Sequence, residues 1–304
     1  MRIWRINLKS AAKTGVNPRE FCLKGNIVGV GWPVDNKSDT LVWDEYYELA
    51  MDEYYNRPER DNGWWPAVNA MKNRMAIDDL IWTRDTKGEY YLGRITSDWR
   101  YDTSSECSNA DIVNIRSCEW YKAGTVEKVP GKVVSSFIPR ATVQSISSST
   151  VLNYSKILYN QLSKVSHYEE DSLKGKDIFS MISDDDCEDL VALYLQYKQN
   201  YLVVPSSCKK STAYYEYVLV HRETGESAVA QVKKGNVSLY ASDFNEVDAK
   251  VYLFTTEGQY EGNFRDNVHI LTREKIEAFM NEHFLILPEK IKVWVKMTRQ
   301  ETMA

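Results

Sequence analysis

The chain has 304 residues, 43% of them hydrophobic, with 38 basic and 43 acidic side chains and a net charge of -5. That length supports two domains with separate cores, and the acidic balance excludes a protein that coats nucleic acid indiscriminately, so a nucleic-acid role needs local basic patches and metal ions. Scattered cysteines without a Cys-x-x-Cys pair exclude a zinc site of ordinary spacing and point to free thiols, and with neither a signal-peptide core nor the roughly 20 apolar residues of a membrane span, a cytoplasmic protein without membrane association is expected.

In chain order, "NIVGVGWP" is an apolar run whose Gly29-x-Gly31 ends in Trp32-Pro33 and opens no helix, so it is not a dinucleotide loop. "LVWDEYYELAMDEYYN" and "WWPAVNAMKNRM" have helical spacing, whereas "DLIWTRD", "EYYLGRIT", "DIVNIRSCEWY" and "KVVSSFI" are short β-rich runs. The mixture predicts a small, partly open β-barrel decorated by helices. Of nine tryptophans only Trp294 lies beyond residue 120, which marks a change of composition between the two parts. The run "SISSST" closes the first part near residue 147; a helix through Leu152, Ile157, Leu158 and Leu162 and the polar "SHYEEDSLKGKD" then form a connector. The expected division is 1–147, a helix and linker 148–178, and 179–304.

The second domain reads as a helix "DDDCEDLVALYLQYKQN", strands "YLVV", "YYEYVLVHR" and "SAVAQVKKG", then strands "KVYLFTT" and "NVHIL" and a helix "TREKIEAFMNEHF". This order predicts an α/β layer with a mixed sheet flanked by helices. Asp184, Asp185 and Asp186 are placed to favour the helix N-terminus. The four histidines have no paired spacing.

The strand "SAVAQVKKG" carries Gln231 and Lys233 two residues apart, hence on one face. With Thr224-Gly225 as a two-residue hairpin loop, Glu216 falls opposite Lys233 and Val218 opposite Gln231. Glu216, Val218, Val220, Val229, Gln231 and Lys233 then share a face. A carboxylate, an amide oxygen and the Val232 backbone carbonyl are oxygen ligands of the kind Mg2+ or Mn2+ takes while keeping several waters, and Lys233 is placed to orient a water or offset developing negative charge. On the preceding helix, the stripe Cys187, Leu190, Val191, Tyr194 and Leu195 leaves Glu188 at its edge, able to reach the sheet. A plain cross-strand ion pair on a solvated face is the competing reading.

Glu188 on the helix, Glu216 on the second strand and Gln231-Val232-Lys233 on the third resemble the PD-(D/E)XK nuclease superfamily, and within it the Mrr-like restriction endonucleases with a Gln-x-Lys ending. The resemblance covers residues 180–285. It implies a restriction-endonuclease-like fold, metal binding by Glu216 and Gln231, a catalytic Lys233 and an assisting Glu188. Glu216 stands where that family usually has Asp, and its Gly-Ile-Asp signature is absent from "STAYYEYV".

In the first domain, "NIVGVGWP", "IDDLIWTRDTKGEYYLGRITSDWRYD" and "ADIVNIRSCEWYKAGTVEKVPGKV" resemble PUA-like barrels, especially EVE-type readers, over residues 1–145. The implied role is reading modified bases in DNA. An extruded base is held between aromatic faces and by polar groups on its edge, for which Trp32, Trp82, Trp99, Tyr101 and Trp120, at the ends of predicted strands, and Asp111 and Asn114 are the candidates. Core packing competes for each of these aromatics. Lys209, Lys210 and Lys234 are candidates for a phosphate-contacting rim, with simple solvation as the other reading. Together these features lead to the expectation of a metal-dependent, homodimeric DNA endonuclease acting in restriction of foreign DNA. The alternative is a nuclease-inactive module that binds DNA or RNA.

Overall fold

The computed structural model describes residues 1–35, 40–57, 59, 61–209 and 215–299, which form a mixed α+β protein in two units, Met1–Leu173 and Lys174–Ala304. Among the described residues no helix is long and apolar enough to cross a membrane.

In the first unit β1 (Ile3–Ile6), β2 (Ile27–Val30), β3 (Leu80–Arg84), β4 (Tyr90–Ile95), β5 (Arg100–Tyr101), β6 (Asn114–Gly124) and β7 (Val143–Ser145) make one curled half-barrel sheet. Their spatial order is β2-β6-β4-β3-β1-β7, with β5 also on β6. β6 pairs with β2 through Asn114 to Ser117 and with β4 through Cys118 to Gly124, so the sheet turns about this single strand. Two glycines permit the close packing: a Cβ on Gly29 would lie 2.6 Å from Ile112 Cγ2, and one on Gly93 2.5 Å from Cys118 Sγ. Trp4, Tyr46, Trp64 and Met71 fill the core inside the curl.

The helices Trp43–Ala50 and Trp64–Asn69 each continue into a π-helical turn, Met51–Tyr55 and Ala70–Arg74. The second turn ends on the buried Arg116, which donates from Nε to the Met71 carbonyl at 2.5 Å, from Nη2 to Lys72 and Met75 at 3.2 and 3.0 Å, and from Nη1 to Ser97 at 2.9 Å. One guanidinium thus satisfies carbonyls that a helix end would otherwise leave unpaired. A helix at Pro18–Lys24, not anticipated above, starts because the Asn17 side chain accepts from the Arg19 and Glu20 amides and Pro18 needs no donor.

Two expectations need correction here. "KVVSSFI" is not a strand: Pro130 precedes a short helix, Gly131–Ser135, in which the Val133 and Val134 amides both reach the Pro130 carbonyl, and this local geometry overrides the β preference of the valines. The helix Ser149–Ser163 is also no connector. Val151, Tyr154, Leu158 and Tyr159 are buried, Ser155 Oγ accepts from Trp82 Nε1 at 3.1 Å, and Tyr159 OH donates to Glu119 at 3.0 Å. Its apolar face therefore completes the first unit, which extends to Leu173.

The second unit begins with the helix Asp184–Lys198, capped by Ser183, whose Oγ accepts from the Asp186 amide while the Asp186 carboxylate accepts from the Ser183 amide. β8 (Tyr201–Val203), β9 (Tyr217–His221) and β10 (Ser227–Lys233) then form an antiparallel meander. β11 (Leu239–Tyr240), β12 (Lys250–Thr255), β13 (Tyr260–Glu261) and β14 (Val268–Ile270) follow. The main sheet has the order β14-β12-β10-β9-β8, with β12 parallel to both β10 and β14, while β11 and β13 pair separately. Residues 234–249 make the crossover that parallel strands require, here with a 3-10 turn at Ala241–Phe244. On β10 the small Ala228 and Ala230 alternate with Val229, which joins Leu239, Phe244, Val251 and Leu253 in a core cluster. The helix Arg273–Glu282 packs on Asp184–Lys198, with Phe279 edge-on to Tyr194 at 5.7 Å. A last helix, Glu289–Thr298, buries Ile291, Trp294 and Val295.

Candidate functional site

The hairpin register differs by two residues from the expected one. Val220 pairs with Ser227, Val218 with Val229 and Tyr217 with Ala230, and the His221 amide bonds the Glu226 carbonyl at 2.9 Å. The loop is therefore Arg222 to Gly225, with Gly225 at φ 70°, in place of the two-residue Thr224-Gly225 turn. A shift of two preserves the face of every side chain. Glu216 now neighbours Gln231 rather than standing opposite Lys233.

The three polar groups meet at this end of β10. Glu216 Oε1 accepts from Gln231 Nε2 at 3.1 Å and from Lys233 Nζ at 3.0 Å. The Glu216 side chain is 14% exposed and that of Lys233 36%, so the pair is partly withdrawn from water rather than a freely solvated bridge. Gln231 is 2% exposed, and its Oε1 is buried without a hydrogen-bond partner among the described residues. A buried acceptor left unpaired costs about 1–3 kcal/mol, and an incoming cation or donor would recover it. Carbonyls alternate direction along a strand. Ala230 O accepts from the Glu216 amide and Lys233 O from the Thr256 amide, so the carbonyl of the intervening Val232 points toward the side that holds Glu216.

The helix Asp184–Lys198 brings Glu188 to the same place. Glu188 and Glu216 line a cavity of about 600 Å³ together with Asp185, Asp189, Tyr217 and Cys208. Burial, then the negative charges of Glu216 and Asp185, push the Glu188 carboxyl up to about 7, against the opposing pull of Lys233. A Glu188 carboxyl raised by its neighbours' negative charge would be relieved by a cation, so the oxygen set Glu188, Glu216 and Gln231 fits a divalent ion. Among the described residues no group of three His, Cys, Asp or Glu side chains converges on one point. Such a site would take its remaining ligands from the Gln231 amide, a backbone carbonyl and water. Asp185, Tyr217 and Cys208 were not legible as lining residues, because only the packing of the helix over the hairpin brings them together.

The proposed lysine rim is not assembled as expected. The Lys234 side chain is only 9% exposed and its Nζ lies 3.9 Å from Asp184 Oδ1. Lys209 ends a 3-10 turn, Ser207–Lys209, and Lys210 lies outside the described residues.

In the first unit the structure separates the aromatic candidates. Trp82, Trp99, Tyr101 and Asn114 belong to the interior, not to a pocket mouth. Their polar atoms find internal partners: Trp82 Nε1 on Ser155 Oγ at 3.1 Å, Trp99 Nε1 on Asn114 Oδ1 at 3.2 Å, Tyr101 OH accepting from the Val34 amide at 2.9 Å, and Asn114 Nδ2 on the Gly31 carbonyl at 2.6 Å. Trp120 is half-buried; its Nε1 donates to the Ile27 carbonyl at 2.8 Å and its ring packs over Gly93. These five positions answer to packing. Trp32 and Asp111 remain, and both line a cavity of about 490 Å³ with Gly31, Tyr54 and Lys9. Tyr54 and Lys9 carry no sequence signal that distinguishes them from ordinary surface residues.

A family model described as a domain of unknown function (DUF8426) matches residues 4–146. No curated protein matches the chain.

Proposed function

We propose that the second unit is a metal-dependent nuclease domain of the PD-(D/E)XK, Mrr-like type. The first unit is in this reading a PUA/EVE-like reader that directs it to DNA, modified bases included. The observation that carries the proposal is the buried Gln231 amide, its oxygen unpaired, beside a carboxylate that already holds Lys233. These three groups meet at the end of a central strand, and Glu216 also lines a cavity with Glu188.

Glu216, Gln231 and the Val232 carbonyl would hold Mg2+ or Mn2+, with Glu188 adding a second carboxylate. Bound there, the ion supplies a water of lowered pKa and offsets charge at phosphorus. Lys233, which here pairs with Glu216 at 3.0 Å, would supply an ammonium to orient a water or offset negative charge at the phosphate. Without an ion the Glu188 carboxyl is pushed up to about 7; a cation held there would lower it again, so Glu188 would serve as an ionised ligand. Cutting both strands of a duplex requires two such sites, hence two copies of the chain, in keeping with a role in restriction.

The test is cleavage of modified and unmodified duplexes by the wild type and by Lys233→Ala, with Mg2+ and with chelator. Metal-dependent cutting that the variant lacks supports the proposal; no cutting by the wild type on any duplex, or equal cutting by the variant, refutes it. One observation favours the second reading, a nuclease-inactive module binding DNA or RNA: Lys233 already neutralises Glu216 directly at 3.0 Å. Binding without cleavage on every substrate would establish that reading.

A further inference from the structure

Three arginines of the first unit gather without a matching set of acids. Arg5 on β1 lies between Trp82 of β3 and Gln144 of β7, and the period of two puts Arg84 on the same face of β3 as Trp82. Both guanidiniums stand against one ring: Arg5 Cζ is 5.4 Å and Arg84 Cζ 5.0 Å from the centre of Phe137. Arg19, in the helix Pro18–Lys24, is near enough to Arg84 to feel its charge. Burial, then the charge of Arg84, lowers the Arg5 guanidinium to about 10, and the same two causes lower that of Arg19.

This crowding is not compensated among the described residues. Arg5 is 0% exposed and Arg19 9%, yet the Nε–H of each is buried without a hydrogen-bond partner. Arg5 directs its other donors to the Ala141 carbonyl at 2.5 Å and to Gln144 Oε1 at 2.8 Å, whereas the guanidiniums of Arg19 and Arg84 donate no hydrogen bond, and none of the three arginines forms an ion pair, among the described residues. Asp85 is the carboxylate whose charge acts on Arg19, and its Oδ1 already accepts from the Lys87 and Glu89 amides at 2.8 and 2.9 Å. Buried like charges left unpaired are costly, and an anion that bridges them removes the cost.

Charge and access narrow the class of anion. Three guanidiniums against one carboxylate leave an excess that a dianion balances. Arg84 is half-buried while Arg5 and Arg19 lie deeper, so the anion must reach inward past Arg84. A phosphate within a nucleic-acid backbone carries a single charge and is flanked by a sugar on each side. A terminal phosphate carries nearly two charges and three free oxygens, each an acceptor for a guanidinium N–H.

We propose that Arg5, Arg19 and Arg84 bind a dianionic phosphate, either inorganic phosphate or the terminal phosphate of a nucleotide. The site shares no residue with the acidic cavity or with the cavity lined by Trp32, so it stands or falls apart from the nuclease and reader proposals.

The experiment is calorimetric titration of the full chain in chelator, at ionic strength fixed with chloride, using inorganic phosphate, adenosine monophosphate and, as a diester, dimethyl phosphate. The wild type should bind the first two at least about tenfold more tightly than dimethyl phosphate, the effect of one charge-assisted hydrogen bond. Equal affinity for the first two would support a site for the phosphate alone, and a tighter adenosine monophosphate would support a nucleotide site. Arg84→Ala, at a half-buried position whose guanidinium has no hydrogen bond to lose, should weaken both at least about tenfold. Arg19→Gln should do the same. In chloride it should unfold no lower than the wild type, because it removes one of the crowded charges, whereas phosphate should raise the Tm of the wild type alone. No binding of either phosphate, equal binding of dimethyl phosphate, or unchanged affinity in both variants would overturn the proposal. So would an Arg19→Gln protein that loses stability equally in chloride and in phosphate, the mark of a purely structural arginine. A duplex without terminal phosphates that bound through Arg84 while neither small phosphate did would overturn it as well.

Discussion

Glu188 gives the sharpest physical test of the acidic cavity. Its carboxyl is displaced from an ordinary 4.5 to about 7 by burial and by the charges of Glu216 and Asp185. At 1.36 kcal/mol per tenfold change in proton affinity, that displacement corresponds to about 3 kcal/mol, which solvent screening at a half-covered side chain reduces to about 1 kcal/mol. Because the folded value is raised, the native state binds the proton more tightly than the unfolded chain. Stability is therefore full below pH 4.5 and declines as the pH rises to about 7. Glu188→Gln keeps the shape and removes the charge. In metal-free protein the variant should gain about 1 kcal/mol over the wild type at pH 8, with almost no gain at pH 4, and Mg2+ should reverse the order by stabilising only the wild type. Hydrogen exchange of the helix Asp184–Lys198 is the suitable readout, since tryptophan fluorescence is dominated by the first unit. A gain independent of pH would refute the electrostatic account, and a wild type indifferent to Mg2+ would refute the cation.

Three further outcomes are expected. Gln231→Leu exchanges a buried, unpaired amide oxygen for an apolar side chain, so folding stability should stay within about 1 kcal/mol while Mn2+ binding, followed by calorimetry, disappears; retained binding would remove Gln231 from the site. Arg116→Lys leaves several carbonyls around the π-helical turn without donors, because an ammonium cannot span them, and should cost about 3 kcal/mol in urea unfolding of the first unit. Gly258→Ala places a Cβ 1.9 Å from the Val237 carbonyl oxygen and must displace backbone. A loss of about 1–3 kcal/mol is expected, whereas Gly225→Ala, with nothing within 4 Å of its Cβ, should show only the smaller cost of its positive φ.

The five strands of the main sheet of the second unit and the shared face of Gln231 and Lys233 are legible in the sequence because a period of two is a local signal, whereas the two-residue strands β11 and β13 are too short to show one. The loop length was not, since Thr224-Gly225 resembles a tight turn closed by Glu223 and Glu226, while the backbone bonds close two residues earlier on the first strand, between His221 and Glu226. In the first domain, aromatic residues at strand ends do not announce which way they face. Trp32 and Trp99 have the same chemistry; one lines a cavity because its backbone turns left-handed, and the other is sealed by Trp43 and Asn114. The helix Ser149–Ser163 shows helical spacing, yet which unit it serves depends on the hydroxyl of Ser155 meeting Trp82, a contact 73 residues apart.

The hairpin loop from Arg222 to Gly225 sets a rule of parity for this site. Adding or removing two residues there slides β9 along β10 but returns every side chain to its own face, so a carboxylate can still arrive beside Gln231. Changing the loop by one residue turns the acidic strand over and sends Glu216 to the opposite face of the sheet from Gln231 and Lys233. The site therefore tolerates length variation only in even steps, and loop insertions of one and of two residues form a matched pair in which the shorter change does the greater damage.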